Sequence, residues 1–251
     1  MNSVLPWDLP FEEAMAFFRS KGIVMTREGW RQLWQSANAR SFTVARVTQM
    51  DVLQDIKAAM QRAIDEGTTL AEFKREVRPM LEARGWFAPV GEAAKTIGSE
   101  GEEIKRLSGW RLDTIFNANV QTAYSVGRYQ QQLEVAAARP YLQYHAILDA
   151  VTRPDHAAQD GKVYAQDHPY WDAWYPPNGF NCRCYVTTLS AEDVRERGLE
   201  VQTAGVREQP DEGWRYNVGA AGLDAYRPDL TKYPAELREQ YERDVAASQR
   251  S

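Results

Sequence analysis

Cysteine, histidine and long apolar runs are scarce in this sequence of 251 residues, which contains two cysteines and three histidines. Cys182 and Cys184 are separated by one residue, so a disulfide between them would close a strained ring, and free thiols are expected. Free thiols are typical of a reducing compartment. No apolar run approaches the roughly 20 residues that a helix needs to span a bilayer, and the start MNSVLPWDLPFEEAM lacks the basic end and apolar middle of a signal peptide. These absences predict a cytoplasmic setting and no membrane association.

Basic charge is not in excess either. The 35 aspartate and glutamate residues outnumber the 30 lysine and arginine residues, which gives a net charge of −5. A protein that coats nucleic acid needs a basic face to release counterions from the phosphates, so this class of protein is disfavoured. Arg75, Arg78 and Arg84 leave a local contact with DNA open. Apolar residues make up 43% of the chain, which is enough for a buried core in one or two domains.

The first 84 residues show helical periodicity. Apolar residues recur there every three or four positions, which predicts short amphipathic helices that pack through their apolar stripes. Thr69 and Glu72 form a capping-box pattern at the start of one helix. The predicted helices begin near Asp8, Arg27, Gln49 and Thr69.

The segment from residue 85 to residue 109 is rich in glycine and contains the acidic stretch GSEGEE, which predicts a linker or an exposed loop. A phosphate-binding loop is not expected, because no Gly-Lys-Ser/Thr follows and no apolar strand precedes. A long helix is predicted from about Trp110 to Ala138. A short helix should follow Ser190, and the tail should end in a helix that begins near Ala235.

The three histidines and both cysteines all lie within residues 141–190. Alternating residues from Tyr141 to Leu148 predict a strand whose apolar face packs on the long helix, and two shorter strands are predicted at Lys162–Ala165 and Cys184–Leu189. Prolines and glycines punctuate the stretches between them, which is typical of tight, ordered turns. We therefore predict a compact module of strands and loops.

The predicted fold class is α+β, with a mainly helical N-terminal region, this small module and a short helical tail. The expected division is a helical region at 1–84, a linker at 85–109, the long helix with the module at 110–190 and a C-terminal extension at 191–251.

A motif of uncommon residues in fixed order runs through the module. Its residues are Thr152, Arg153, Pro154, His156, Asp160, Gly161, Pro169, Trp171, Asp172, Tyr175, Pro176, Pro177, Asn178, Gly179, Phe180, Cys182, Arg183, Cys184, Leu189 and Ser190. This motif resembles the signature of the phage Mu F-like minor head proteins. The stretches LPFEEAMAFFRSK, GTTLAEFK, NANVQTAYSVGRYQQ and GWRYNVGAA are similar too, so the resemblance covers nearly the whole chain.

The resemblance implies a head-morphogenesis protein of a phage or prophage. Such a protein would be a minor, low-copy component of the virion, would be present in the host cytoplasm during assembly, and would have the portal protein and the major head protein as partners. The resemblance also implies a part in DNA packaging or delivery, and no established enzymatic activity. Some relatives carry a fused toxin domain, but about sixty residues follow Ser190, which is too few for a typical catalytic domain.

Cys182, Cys184 and His156 are the candidate metal ligands. Thiolates and imidazole are the ligands that zinc prefers, and residues two apart on a strand lie on the same face. A structural zinc site needs four ligands, and Asp155, Asp160 and His168 are the candidates for the fourth. The alternative is that two buried thiols and a hydrogen-bonded histidine hold the loops together without a cofactor.

The competing hypothesis is that the protein is an enzyme. A metal-dependent hydrolase or nuclease could use His145, Asp149, His156 and Asp160. A toxin-like effector could instead use Cys182 or Cys184 as the nucleophile and His156 as the base. Their spacing matches no defined mechanism, so no enzymatic activity is predicted.

Four aromatic residues beside the prolines admit two interpretations. Tyr170, Trp171, Trp174 and Tyr175 could contact a capsid or portal partner, because aromatic side chains dominate many interfaces. They could also form the core of the module, and this interpretation is favoured because a small module with few aliphatic residues needs its aromatic side chains inside. Arg183 is expected to pair with a carboxylate such as Asp172.

Overall fold

The computed structural model describes residues 11–23, 41–42, 44, 50–87, 95–97, 103–105 and 107–225. The helices predicted near Arg27 and Ala235 lie outside the described residues. The described helices are α1 Glu12–Ser20, α2 Met50–Glu66, α3 Leu70–Ala83, α4 Gly109–Glu134, α5 Pro154–Ala157, α6 Trp171–Trp174, α7 Ala191–Glu196 and α8 Val218–Ala225. The described strands are β1 Gly22–Ile23, β2 Ser41–Phe42, β3 Lys95–Ile97, β4 Glu103–Lys105, β5 Tyr141–His145, β6 Val163–Ala165 and β7 Tyr185–Leu189. The predicted α+β class is confirmed.

The N-terminal helices form as their apolar stripes predict. Helix α2 buries one stripe, which includes Leu53, Ile56 and Met60, and helix α3 buries Phe73 and Val77 against the same core. The predicted capping box is present at the start of α3, where Thr69 Oγ1 accepts a hydrogen bond from the Glu72 backbone N–H and the Glu72 carboxylate accepts one from the Thr69 N–H.

The glycine-rich segment contains an antiparallel strand pair in which Thr96 of β3 faces Ile104 of β4. Its two ends are fixed in the helical core, because Phe87 and Leu107 form a bridge and are both buried. The segment predicted as a linker is therefore attached to the core at each end.

Helix α4 joins two separate cores. Its Leu112, Phe116 and Val126 belong to the helical core. Further along α4, Tyr129 packs on the module, and Gln132 donates a hydrogen bond from Nε2 to the Val186 backbone oxygen at 3.0 Å. Helix α8 packs on the same helix, with Gly219 and Gly222 against Tyr129 and Val126. The described part of the C-terminal extension thus folds back on the chain.

The module contains a three-stranded antiparallel sheet in the order β6-β5-β7, with Tyr141 of β5 facing Leu189 of β7 and Ala165 of β6. Leu142 and Tyr144 are buried on the predicted apolar face. Leu148 does not join them: β5 ends at His145, and the Leu148 side chain is 66% exposed.

The described helices include none that is both long enough and apolar enough to cross a membrane.

Candidate functional site

The three predicted metal ligands come from two neighbouring loops of the module. His156 lies on the single-turn helix α5, which begins with Pro154 at a position where a missing backbone N–H costs nothing. Cys182 and Cys184 follow the turn at Asn181, whose φ of 56° lies in the left-handed region that asparagine tolerates. Local turn chemistry therefore brings residues 26 and 28 positions apart in sequence to one point.

The three side chains form a compact buried cluster, which we call the thiol–imidazole cluster. The Sγ atoms of Cys182 and Cys184 each lie 3.7 Å from Nδ1 of His156. The three donor atoms all lie within 4.8 Å of one another, and each residue is 5% exposed or less. Both cysteines are free, as predicted.

Burial and mutual contact separate the acidities of the two thiols. Hydrogen bonding from the Cys184 thiol, with a further contribution from His156, holds the pKa of Cys182 well below its ordinary value. The pKa of Cys184 is raised, because its own hydrogen bond with Cys182, its burial and the Cys182 charge all disfavour a second thiolate.

The other ring nitrogen of His156 faces Asp211. Nε2 lies 3.8 Å from Asp211 Oδ1 and has no hydrogen-bond partner among the described residues. Asp211 is held in place by Arg153, whose Nη2 lies 2.9 Å from Oδ2, and by its backbone N–H, which donates to the Asn178 oxygen. A carboxylate from the C-terminal extension thus completes the surroundings of the imidazole.

The candidates for a fourth ligand do not join the cluster. Among the described residues, the donor atoms that lie together come from His156, Cys182 and Cys184, and Asp155 contributes none. Asp160 accepts a hydrogen bond from the Ala146 backbone N–H, and His168 lies beside the Thr203 oxygen. A cavity of about 10 Å³ adjoins the cluster. This volume holds about one water molecule.

The residues considered for a hydrolase site are dispersed. His145 lies 2.8 Å from Thr187 Oγ1 and stacks on Tyr185. Asp149 pairs with Arg183, and Asp160 caps a backbone N–H. His145, Asp149 and Asp160 are therefore engaged in contacts of their own and do not join His156 in a common cleft.

Arg183 pairs with a different carboxylate from the one predicted. Its Nη2 lies 2.7 Å from Asp149 Oδ1, whereas the prediction named Asp172. The hydrogen bond from Arg183 lowers the pKa of Asp149 to about 2. The predicted pair with a carboxylate is present, but Asp172 was the wrong example, because it lies on α6, while the β5–α5 loop places Asp149 beside the cysteine loop.

The four aromatic residues considered for a partner contact are core residues. Tyr170, Trp171, Trp174 and Tyr175 are 5% exposed or less. Tyr170 is stacked on Tyr164, with 4.1 Å between ring centroids. Trp171 donates a hydrogen bond from Nε1 to the Ala165 oxygen, and the Tyr175 hydroxyl donates to Gln132 Oε1 at 2.9 Å. The interpretation as an exposed contact surface is therefore wrong for the chain in this structure, because the module has few aliphatic side chains to fill its centre.

The remaining motif residues fix the loops. Thr152 Oγ1 donates to the Asp149 carboxylate, and Gly161 adopts a φ of 77°. The bond between Pro176 and Pro177 is cis. Two important residues were missed as functional candidates: Asp211, which has no distinctive local pattern, and Asn178, which is fully buried and accepts a hydrogen bond from the Tyr144 hydroxyl at 2.9 Å. The position of Asn178 within the motif was the sequence feature that could have identified it as a candidate.

The fold and the cluster define a helix-rich α+β protein whose loop module closes around two thiols and one imidazole. The chain belongs to the family described as Phage Mu protein F like protein, whose model matches residues 54–187, just over half of the chain. The predicted family is thereby confirmed.

Two curated relatives extend this similarity beyond the family match. The putative capsid assembly protein F of Escherichia phage Mu is 39% identical over 92% of this chain and 60% of its own length. The Mu-like prophage FluMu F protein of Haemophilus influenzae is 35% identical over 77% of this chain and 53% of its own length. The chain thus spans between about half and three fifths of these relatives. No solved structure matches it.

Proposed function

We propose that this chain acts in the assembly of a phage or prophage head. The observation that carries the proposal is the 39% identity, over 92% of the chain, to a protein described as a putative capsid assembly protein. An alignment over 92% of the chain is not confined to the module. An assembly protein contacts its partners through much of its folded surface, which agrees with a similarity that extends over most of the chain.

In finer terms, we propose a minor virion component that is present at low copy and associates with the portal protein and the major head protein. Synthesis and assembly would take place in the host cytoplasm. The structure suits an adaptor of this kind, because α4 belongs to both cores and links them into one unit.

The enzymatic alternative has less support from the geometry. The thiol–imidazole cluster is buried, and the adjoining cavity of about 10 Å³ has no room for a nucleotide or a peptide. The other histidines and aspartates considered for catalysis are occupied in separate loop contacts. Catalysis at the cluster would require the loops to open.

A direct role in binding packaged DNA is also weakly supported. Of the three arginines considered for this contact, Arg78 pairs with Glu82 and Arg84 pairs with Asp55, each at 2.7 Å. These surface pairs reduce the positive charge that the helix presents, and the whole chain carries a net charge of −5.

The test is co-expression of the chain with the portal and major head proteins encoded near its gene, followed by gradient sedimentation and mass spectrometry of the particles. The proposal predicts that the chain sediments with portal or prohead particles at far fewer copies than the major head protein. The matched control omits the portal gene, which should release the chain to the top of the gradient. A chain that stays free in the presence of both partners would contradict the proposal.

A further inference from the structure

We propose that the thiol–imidazole cluster is a zinc site, in which Cys182 Sγ, Cys184 Sγ and His156 Nδ1 bind one ion and Asp211 accepts a hydrogen bond from His156 Nε2. This inference is independent of the proposed function, because it rests on the donor atoms of the folded chain alone.

The separations of the donor atoms fit a tetrahedral ion. Zinc binds sulfur at about 2.3 Å and imidazole nitrogen at about 2.05 Å, so a sulfur and a nitrogen on one tetrahedral ion lie roughly 3.6 Å apart. The two measured distances from Sγ to Nδ1 are both 3.7 Å. Because all three donors lie within 4.8 Å of one another, a single ion can reach each of them with small shifts of the side chains.

The two sulfur atoms converge on one ring nitrogen. Both approach Nδ1 of His156, whose single lone pair in the neutral ring can accept from one thiol, while the two thiols also hydrogen-bond to each other. An ion between the three atoms would be held by both thiolates and by that lone pair.

The far side of the imidazole supports the same assignment. A histidine that binds zinc through Nδ1 carries its proton on Nε2, and such a proton is usually donated to a carboxylate or carbonyl oxygen. Nε2 of His156 is buried, has no hydrogen-bond partner among the described residues, and faces Asp211 Oδ1 at 3.8 Å. Arg153 holds Asp211 on this side of the ring, where a shift of roughly 0.8 Å would bring its carboxylate within hydrogen-bond distance of Nε2.

The donor set also selects the class of metal. Two thiolates and one imidazole suit zinc, whereas magnesium and calcium require oxygen ligands, and iron–sulfur clusters require more thiolates. The described residues supply three ligands, and the adjoining cavity holds about one water molecule, which would be the fourth. Two cysteines, one histidine and a water molecule form a zinc coordination set whose fourth position is open to water, which is the arrangement of catalytic zinc sites.

Such an ion would connect three parts of the chain. His156 comes from α5, the cysteines come from the loop before β7, and Asp211 comes from the C-terminal extension. The site would therefore hold the extension against the module.

The experiment uses the full chain without a polyhistidine tag. The chain is stripped with a chelator, reloaded with zinc, desalted and measured by inductively coupled plasma mass spectrometry. The expected result is about one zinc per chain, since the donor set forms one site. The variants Cys182→Ser and His156→Gln should retain at least tenfold less zinc, while His168→Gln, which changes a histidine outside the cluster, should retain the wild-type amount.

Two further measurements keep the proposal testable if the ligand variants fail to fold. Loading the wild-type chain with cobalt should give the charge-transfer absorption of a cobalt–thiolate bond. Asp211→Asn leaves all three ligands in place and should lower zinc affinity by about 10- to 100-fold. A folded wild-type chain that retains no zinc after reloading and shows no cobalt–thiolate absorption would overturn the site, whatever the outcome of the assembly experiment.

Discussion

Gly179 lies where the Arg153–Asp211 pair passes over the loop that leads to the two cysteines. A Cβ atom added there would lie 2.8 Å from Asp211 Cγ and 3.2 Å from Arg153 Cζ. The first distance is shorter than a Cβ atom tolerates, so a larger residue would displace the Asp211 side chain. Glycine at this position therefore leaves room for the Arg153–Asp211 pair beside the thiol–imidazole cluster.

We predict that Gly179→Ala lowers the free energy of unfolding by roughly 1–3 kcal/mol, because the added methyl group displaces the Arg153–Asp211 pair. Urea unfolding measures the change. Gly205→Ala is the matched control, since a Cβ at that position meets open space. Equal effects from both substitutions would show that the close approach at Gly179 does not matter.

Lys21 is a buried lysine, and its burial should affect the stability of the fold. Its side chain is almost fully buried beside the Phe17 ring, and burial, with a smaller contribution from Lys57, lowers its pKa to about 8 from 10.5. We predict that Lys21→Met raises the free energy of unfolding at pH 7 by an amount on the order of 1–3 kcal/mol, because the folded chain no longer buries an ammonium group.

The pH dependence of this difference has a defined sign. Between about pH 8 and pH 10.5 the unfolded chain binds the Lys21 proton and the folded chain does not, so wild-type stability from this group rises with pH. The advantage of Lys21→Met should therefore shrink when urea unfolding is repeated at pH 10. An advantage that stays constant or grows would contradict a buried, destabilising charge.

Residue chemistry made part of the cluster predictable. The Cys-x-Cys spacing and the shortage of other histidines pointed to His156, Cys182 and Cys184 together. Asp211 was not predictable in the same way, since it is 55 positions beyond His156 and its role depends on how the C-terminal extension folds back. The partner of Arg183 was not predictable either, because the paths of the loops decide that Asp149, and not Asp172, lies near it.

At the scale of elements, helix α3 shows how much a capping box contributes to the stability of the fold. Its capping box joins Thr69 and Glu72 through reciprocal hydrogen bonds. We predict that Thr69→Ala lowers the free energy of unfolding by about 1 kcal/mol, because the Glu72 backbone N–H loses its acceptor. Chemical denaturation measures the loss, and Thr68→Ala, one position earlier, should change stability by much less. A loss below about 0.3 kcal/mol for Thr69→Ala would show that the cap is not needed.

Elements with strong periodic patterns were predictable, and elements that depend on distant pairing were not. The apolar stripes of α2 and α3 located these helices, and the β-branched content of β7 located that strand. The pair β3 and β4 lies in a polar, glycine-rich segment with no such pattern, so only its pairing across residues 95–105 reveals it. The exposed position of Leu148 likewise follows from where β5 ends, which alternation alone does not fix.

At the scale of the whole molecule, the two cores and the helix between them explain why the similarity to capsid assembly relatives is spread along the chain. The helical core and the module share α4, and the described C-terminal extension packs on both. A change in either core would therefore alter the surface that the other presents to partners.

The most direct test of the assembly function is to block synthesis of this chain in the host that carries its phage or prophage, and to count heads by electron microscopy after induction. The proposal predicts that complete, DNA-filled heads fall at least tenfold and that the wild-type gene supplied in trans restores them. Gly205→Ala, which leaves the fold undisturbed, should restore them equally well. A normal yield of filled, infectious heads in the absence of the chain would contradict the proposed role in head assembly.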